Sequence, residues 1–142
     1  MGDEVIVRGS AGGFAQEITA GGHSLVSDEP ASAGGGGTGL DPYGLLLASL
    51  GSCTSMTIGL YARRKSWPLE SVTVRLRHSR VHAADCAECE TKEGSVDRIE
   101  RDIELTGDLS AEQRTRLLEI ASRCPVRRTL TSEIDIRTRL RE

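Results

Sequence analysis

Four cysteines carry the clearest chemical potential in this chain of 142 residues: Cys53, Cys86, Cys89 and Cys124. Cys53 lies in the run Leu50-Gly51-Ser52-Cys53-Thr54-Ser55-Met56. A thiol in such a run can pack as a small hydrophobe. The hydroxyls of Ser49, Ser52, Thr54 and Ser55 and the bare backbone of Gly51 also suit a sulfur that another chain element or a small substrate can approach. Cys124 precedes Pro125, which favours a new helical turn and places Cys124 at its N-cap. Backbone N–H groups there, with Arg123, Arg127 and Arg128 nearby, favour a thiolate and predict a depressed thiol pKa. The bland alternative is an unreactive cysteine ending a helix. Cys86-Ala87-Glu88-Cys89 is a C-x-x-C with His78 and His82 upstream. Three readings are open for it: a zinc site, a redox pair, or a solvated loop. The two histidines share one strand parity but precede the cysteines instead of following them.

The elements that must position these thiols can be read from pattern. Short segments 4–8, 14–20 and 23–27 are punctuated by Gly12-Gly13 and Gly21-Gly22, which predicts a strand meander with a hairpin at the second glycine pair. Residues 28–39, with Pro30 and Gly34-Gly35-Gly36-Gly37, read as a mobile loop without the Lys-Ser or Lys-Thr of a phosphate loop. Asp41 as N-cap and Pro42 at the first position start a long helix. It is almost wholly apolar or small from Leu45 to Leu60 and ends in Arg63-Arg64-Lys65 before Trp67-Pro68. With no polar face, it belongs in the centre of a fold.

Val72 to Arg77 alternates apolar and polar residues and predicts a half-buried strand continuing to His82. A second alternating segment, Val96 to Leu105, pairs with it as a hairpin whose long tip holds Cys86 and Cys89. A second helix spans Ser110 to about Arg123, with Ser110 and Gln113 as the two ends of a capping box. A short turn or helix then runs to Leu130, and Ile134-Asp135-Ile136 begins a final strand. The fold class is α+β in a single domain, 1–142.

Composition bounds the function. Hydrophobic residues make up 37%, charged residues 27% and aromatics only 3%, so the core must be Leu, Ile, Val and Ala, and a core shared between subunits is plausible. A net charge of −3, from 18 basic and 21 acidic residues, provides no general field for nucleic acid. No run approaches the roughly 18 consecutive apolar residues of a membrane span. The opening Met1-Gly2-Asp3-Glu4 lacks the basic start and apolar stretch of a secretory signal. The expected address is the cytoplasm, where cysteines serve more readily as reactive thiols or metal ligands than as structural disulfides.

Two segments resemble the OsmC/Ohr family of organic hydroperoxide reductases. The first is Asp41-Pro42-Tyr43-Gly44-Leu45-Leu46-Leu47-Ala48-Ser49-Leu50-Gly51-Ser52-Cys53 with the glycine-rich loop before it; the second is Ala121-Ser122-Arg123-Cys124-Pro125-Val126. The resemblance extends from about Phe14 to Leu140. Asp28-Glu29-Pro30 and the Cys86/Cys89 hairpin look like its YhfA-like branch. It implies antiparallel sheets wrapped around two central helices in an intertwined homodimer, with two active sites at the subunit interface. It also implies that Cys53 is the peroxidatic thiol and Cys124 the resolving one. A dithiol or lipoylated-protein reductant would regenerate them, and no cofactor is needed. The apolar surroundings of Cys53 suit alkyl or fatty hydroperoxides. The alternative is a non-catalytic dimer that binds a small ligand or senses redox state through Cys86 and Cys89.

This chain departs from the family pattern at two positions. Tyr43 stands where the well-studied enzymes place a glutamate, and Phe14 stands where a hairpin arginine holds the thiolate. Arg8, His23, Arg127 and Arg128 are the candidate replacements for that cation, and Glu29 is the candidate for the carboxylate.

Overall fold

A computed structural model describes Gly2 and residues 4–141; Met1 and Asp3 of the opening segment, and Glu142, lie outside the described residues. The chain divides into two compact units, residues 1–48 and 49–142, with the boundary inside one long helix.

In the first unit, β1 (Ile6–Gly9), β2 (Gln16–Ala20) and β3 (His23–Ser27) form an antiparallel meander in the order β1-β2-β3. Gly21 and Gly22, at φ 55° and 78°, supply the two left-handed positions of the tight turn that sets Ala20 opposite His23. Phe14, the expected start of the second strand, falls in the loop before β2, which begins two residues later at Gln16. The segment after β3 is more organised than a mobile loop. A 3₁₀ turn covers Ala31–Ala33. The carboxylate of Asp28, only 3% exposed, accepts the backbone N–H groups of Glu29 (2.8 Å), Gly36 (3.1 Å) and Thr38 (3.2 Å) and the Thr38 hydroxyl (2.7 Å). One buried carboxylate thus replaces the regular structure that a glycine run cannot form.

The helix α1 (Pro42–Lys65) begins where Asp41 Oδ1 accepts the Gly44 N–H at 2.8 Å. It ends at Ser66, the only non-glycine residue with positive φ (56°) among the described residues. Ser66 N–H reaches the Arg63 carbonyl at 3.1 Å and Trp67 N–H reaches that of Ala62 at 2.9 Å, a Schellman closure completed before Trp67-Pro68. By length and composition this helix is long and apolar enough to cross a membrane, with a mean hydropathy of 1.4 over an 18-residue window, a test that the core helix of a soluble protein also passes.

In the second unit, β4 (Leu69–His82) and β5 (Ser95–Gly107) form one long antiparallel hairpin. Alternation decides its faces. Val72, Val74 and Leu76 lie opposite Leu105, Ile103 and Arg101 in the half-buried row. The outer row holds exposed ion pairs, Arg75 with Glu104 and Arg77 with Glu100 and Asp102. The helix α2 (Ala111–Ile120) starts with the Ser110–Gln113 capping box, formed in both directions. A 3₁₀ turn over Ala121–Arg123 follows, and then α3 (Pro125–Leu130).

Ile58 and Ala62 of α1 pack with Leu109, Leu117 and Ala121, bordered by Val72, Ile103 and Leu105 of the hairpin. The interior face of α1 runs through Leu50, Gly51, Thr54, Ile58 and Ala62, the spacing of one helical stripe. Gly51 allows the hairpin in close, since a Cβ there would lie 2.8 Å from Leu76 Cδ1. The helix is therefore covered on one side in this chain, while Met56 is 71% exposed on the other.

The final strand expected from Ile134-Asp135-Ile136 does not form; residues 133–141 have no regular structure. Alternation supplies a strand's faces but not its hydrogen bonds, and none of the described strands pairs with this segment.

Candidate active site

α1 carries Cys53 at its middle, and Cys124 stands at the junction between the 3₁₀ turn after α2 and the start of α3. The two sulfurs meet, close enough for a hydrogen bond between them. Cys124 is fully buried, whereas Cys53 is partly exposed. Cys53 lines an open, largely apolar groove of about 410 Å³ with Ser49, Ser52, Met56, Thr57, Leu60 and Pro125. A molecule arriving from solvent along this groove meets Cys53 before Cys124.

Burial acts upward on both thiols, but their surroundings separate them. Burial and the adjacent Cys124 sulfur push Cys53 above the ordinary thiol value of 9.0, against the Val126 backbone N–H and the Thr57 side chain. For Cys124, burial is outweighed by the hydrogen bonds of Cys53, the N–H groups of Arg127 and Val126, and the Thr54 side chain, so its pKa falls below 9.0. The depressed value expected at Cys124 is present, and its cause is this local set of donors. These surroundings favour the thiolate form at Cys124 over that at Cys53.

One member of the site escaped sequence reasoning. Arg101 of β5 donates from Nη1 to Thr54 Oγ1 at 2.8 Å and to the Ala121 carbonyl at 3.2 Å, and its charge acts on both sulfurs. Thr54, fully buried, also gives its hydroxyl to the Leu50 carbonyl at 2.7 Å. The signal was present: in Ile99, Arg101, Ile103 and Leu105, a cation interrupts the apolar phase of a half-buried strand. Of the cations named in its stead, Arg127 is close enough to act on Arg101.

Cys86 and Cys89 do not join this pair. They form a disulfide with each other in the β4–β5 tip, with Cα atoms 5.4 Å apart. His78 is occupied with Asp97 at 2.9 Å, and among the described residues no group of three or more His, Cys, Asp and Glu side chains is placed to hold a metal ion. The structure thus favours the paired-cysteine reading of this motif over the zinc one.

An apolar helix bearing one thiol, a long antiparallel hairpin and a second thiol held against the first define an α+β dithiol protein. The chain belongs to the family described as OsmC-like protein, whose model matches residues 34–139. Similar solved structures include an OsmC-like protein from Mycoplasma pneumoniae, with 18% identity, 92% of this chain and 87% of that chain covered and a TM-score of 0.72. The organic hydroperoxide resistance protein OsmC of Legionella pneumophila shares 23% identity over 95% of this chain and 93% of its own, with a TM-score of 0.65. OhrB of Bacillus subtilis, an organic hydroperoxide resistance protein, shares 21% over 95% and 94%, with a TM-score of 0.63. At these identities the likeness is one of fold. No curated protein sequence matches the chain.

Proposed function

We propose that this protein is a thiol-dependent peroxidase that reduces organic hydroperoxides, with Cys53 attacking and Cys124 resolving. The observation that carries the reading is the contact between a groove-facing Cys53 and a buried Cys124 of lowered pKa. The hydroperoxide resistance proteins of similar fold support the substrate class.

Cys124, as thiolate, takes the proton of Cys53. The Cys53 thiolate attacks the terminal oxygen of R–O–O–H, the O–O bond breaks, and the leaving alkoxide takes the proton back from Cys124. The products are Cys53 sulfenic acid and the alcohol. Cys124 thiolate then attacks the sulfenic sulfur and expels hydroxide, leaving a Cys53–Cys124 disulfide. A dithiol reductant, a lipoylated protein among the candidates, restores both thiols as it becomes a disulfide. The apolar lining of Met56, Leu60 and Pro125 suits an alkyl tail.

The reading takes residues 1–142 as one OsmC-like domain of a cytoplasmic homodimer. The open side of α1 and the exposed Ile134, Ile136 and Leu140 support a partner subunit covering them.

Mass spectrometry after an equimolar alkyl hydroperoxide tests the reaction. A new Cys53–Cys124 bridge, absent in Cys53→Ser, is expected. Intact Cys53 and Cys124 thiols would overturn it. The Cys86–Cys89 disulfide favours a second reading, a redox-sensing protein without turnover. A change confined to that pair would select it.

A further inference from the structure

Arg101 occupies a position that apolar packing does not explain. It lies opposite Leu76 in the half-buried row of the hairpin, flanked on that row by Ile99 and Ile103. Its sequence neighbours Glu100 and Asp102 point to the other face and are engaged by Arg77. Among the described residues Arg101 has no carboxylate partner, although it is half-buried and Arg127 stands near it as a like charge. A guanidinium withdrawn from water needs an anion or it raises the energy of the fold. The groups that can supply one there are the two sulfurs.

We propose that Arg101 is the resident counter-ion of the Cys53–Cys124 pair, the fixed cation beside which the reduced pair carries its negative charge. It acts in part through Thr54, which accepts its hydrogen bond and also contacts Cys124. It is a positioning residue, and it supplies from β5 the positive charge missing at Phe14. Among the described residues, the polar groups beside the pair include Thr54 and Thr57 from α1, Arg101 from β5, and the Val126 and Arg127 N–H groups from α3. None of these groups is acidic, so no carboxylate among them competes with the thiolate for the charge of Arg101. The hydrogen bond to the Ala121 carbonyl fixes the guanidinium at the end of α2, so the charge is held in place before any substrate arrives.

This inference deepens the peroxidase reading, yet its test requires no peroxide. Alkylation of Cys53 by iodoacetamide and ultraviolet thiolate absorbance are followed against pH in the reduced wild type, Arg101→Lys and Arg101→Met. Methionine matches the apolar row and leaves no buried charge, and thermal melting checks that each variant is folded. Arg101→Met should raise the first ionisation by about one unit and slow alkylation at pH 7 about tenfold. Arg101→Lys should stay within about threefold of wild type, because it retains the charge. A folded Arg101→Met with an unchanged pH profile would overturn the proposal and leave Arg101 as a helix-end clamp. A shifted profile in a protein that consumes no hydroperoxide would uphold the counter-ion and remove only the peroxidase.

Discussion

The guanidinium of Arg101 donates to the buried hydroxyl of Thr54 at 2.8 Å, joining β5 to α1 one residue away from Cys53. The bond ties the site's cation to the helix that carries its exposed thiol. Thr54 contacts Cys124 as well, so one hydroxyl lies between Arg101 and the buried thiol.

Removing that hydroxyl separates its effects from packing. Thr54→Val keeps the side-chain shape but leaves a half-buried donor on Arg101 without its acceptor. It should destabilise the protein by about 1–3 kcal/mol and raise the first thiol ionisation. Thr54→Ser keeps the hydroxyl and loses one methyl, about 0.8 kcal/mol. Denaturant unfolding and thiolate titration of both variants check this; equal ionisation in the two would disconnect Thr54 from the sulfurs.

Stability of the reduced protein should depend on pH through two opposing shifts. Folded Cys124 ionises below 9.0, so in the window up to 9.0 the unfolded chain binds more protons and stability rises with pH. That contribution is lost as pH falls through the folded value. Folded Cys53 ionises above 9.0, so above that pH the unfolded chain loses the proton first and stability declines. The difference in melting temperature between wild type and Cys53→Ser/Cys124→Ser should therefore grow toward pH 9 and shrink beyond it. A flat difference would mean the thiols titrate as in the unfolded chain.

Asp28 organises a loop that composition marks as loose. Hydrogen bonds from the Thr38 side chain and from the backbone of Thr38, Glu29 and Gly36 hold its carboxyl below the usual 3.8, against the effect of burial. Its stabilising effect is present above 3.8 and lost as pH falls through the lowered value. Asp28→Asn should make cleavage near Gly34–Gly37 severalfold faster in limited proteolysis, without altering thiol titration. Unchanged cleavage would show that the 3₁₀ turn orders the loop unaided.

Much of the fold was legible because its determinants are local. The Asp41 cap, the Ser110–Gln113 box, the Gly21-Gly22 turn and the alternation of β4 and β5 each act over a few residues, and each element forms where those signals stand. Cys53 and Cys124 stood out by residue type and context, and so did the backbone N–H groups at the start of α3; the Cys53 and Thr54 side chains that also lower the Cys124 pKa did not. Tertiary structure decided what depends on distant partners. It brought the sulfurs together, placed Arg101 against them, and gathered three backbone N–H groups on Asp28. It also left Ile134-Asp135-Ile136 unpaired, although its alternation matches that of a strand. Local conformation follows from the torsional and capping preferences of neighbouring residues, whereas a strand's ladder and a cation's counter-ion lie elsewhere in the chain and exist only once packing delivers them.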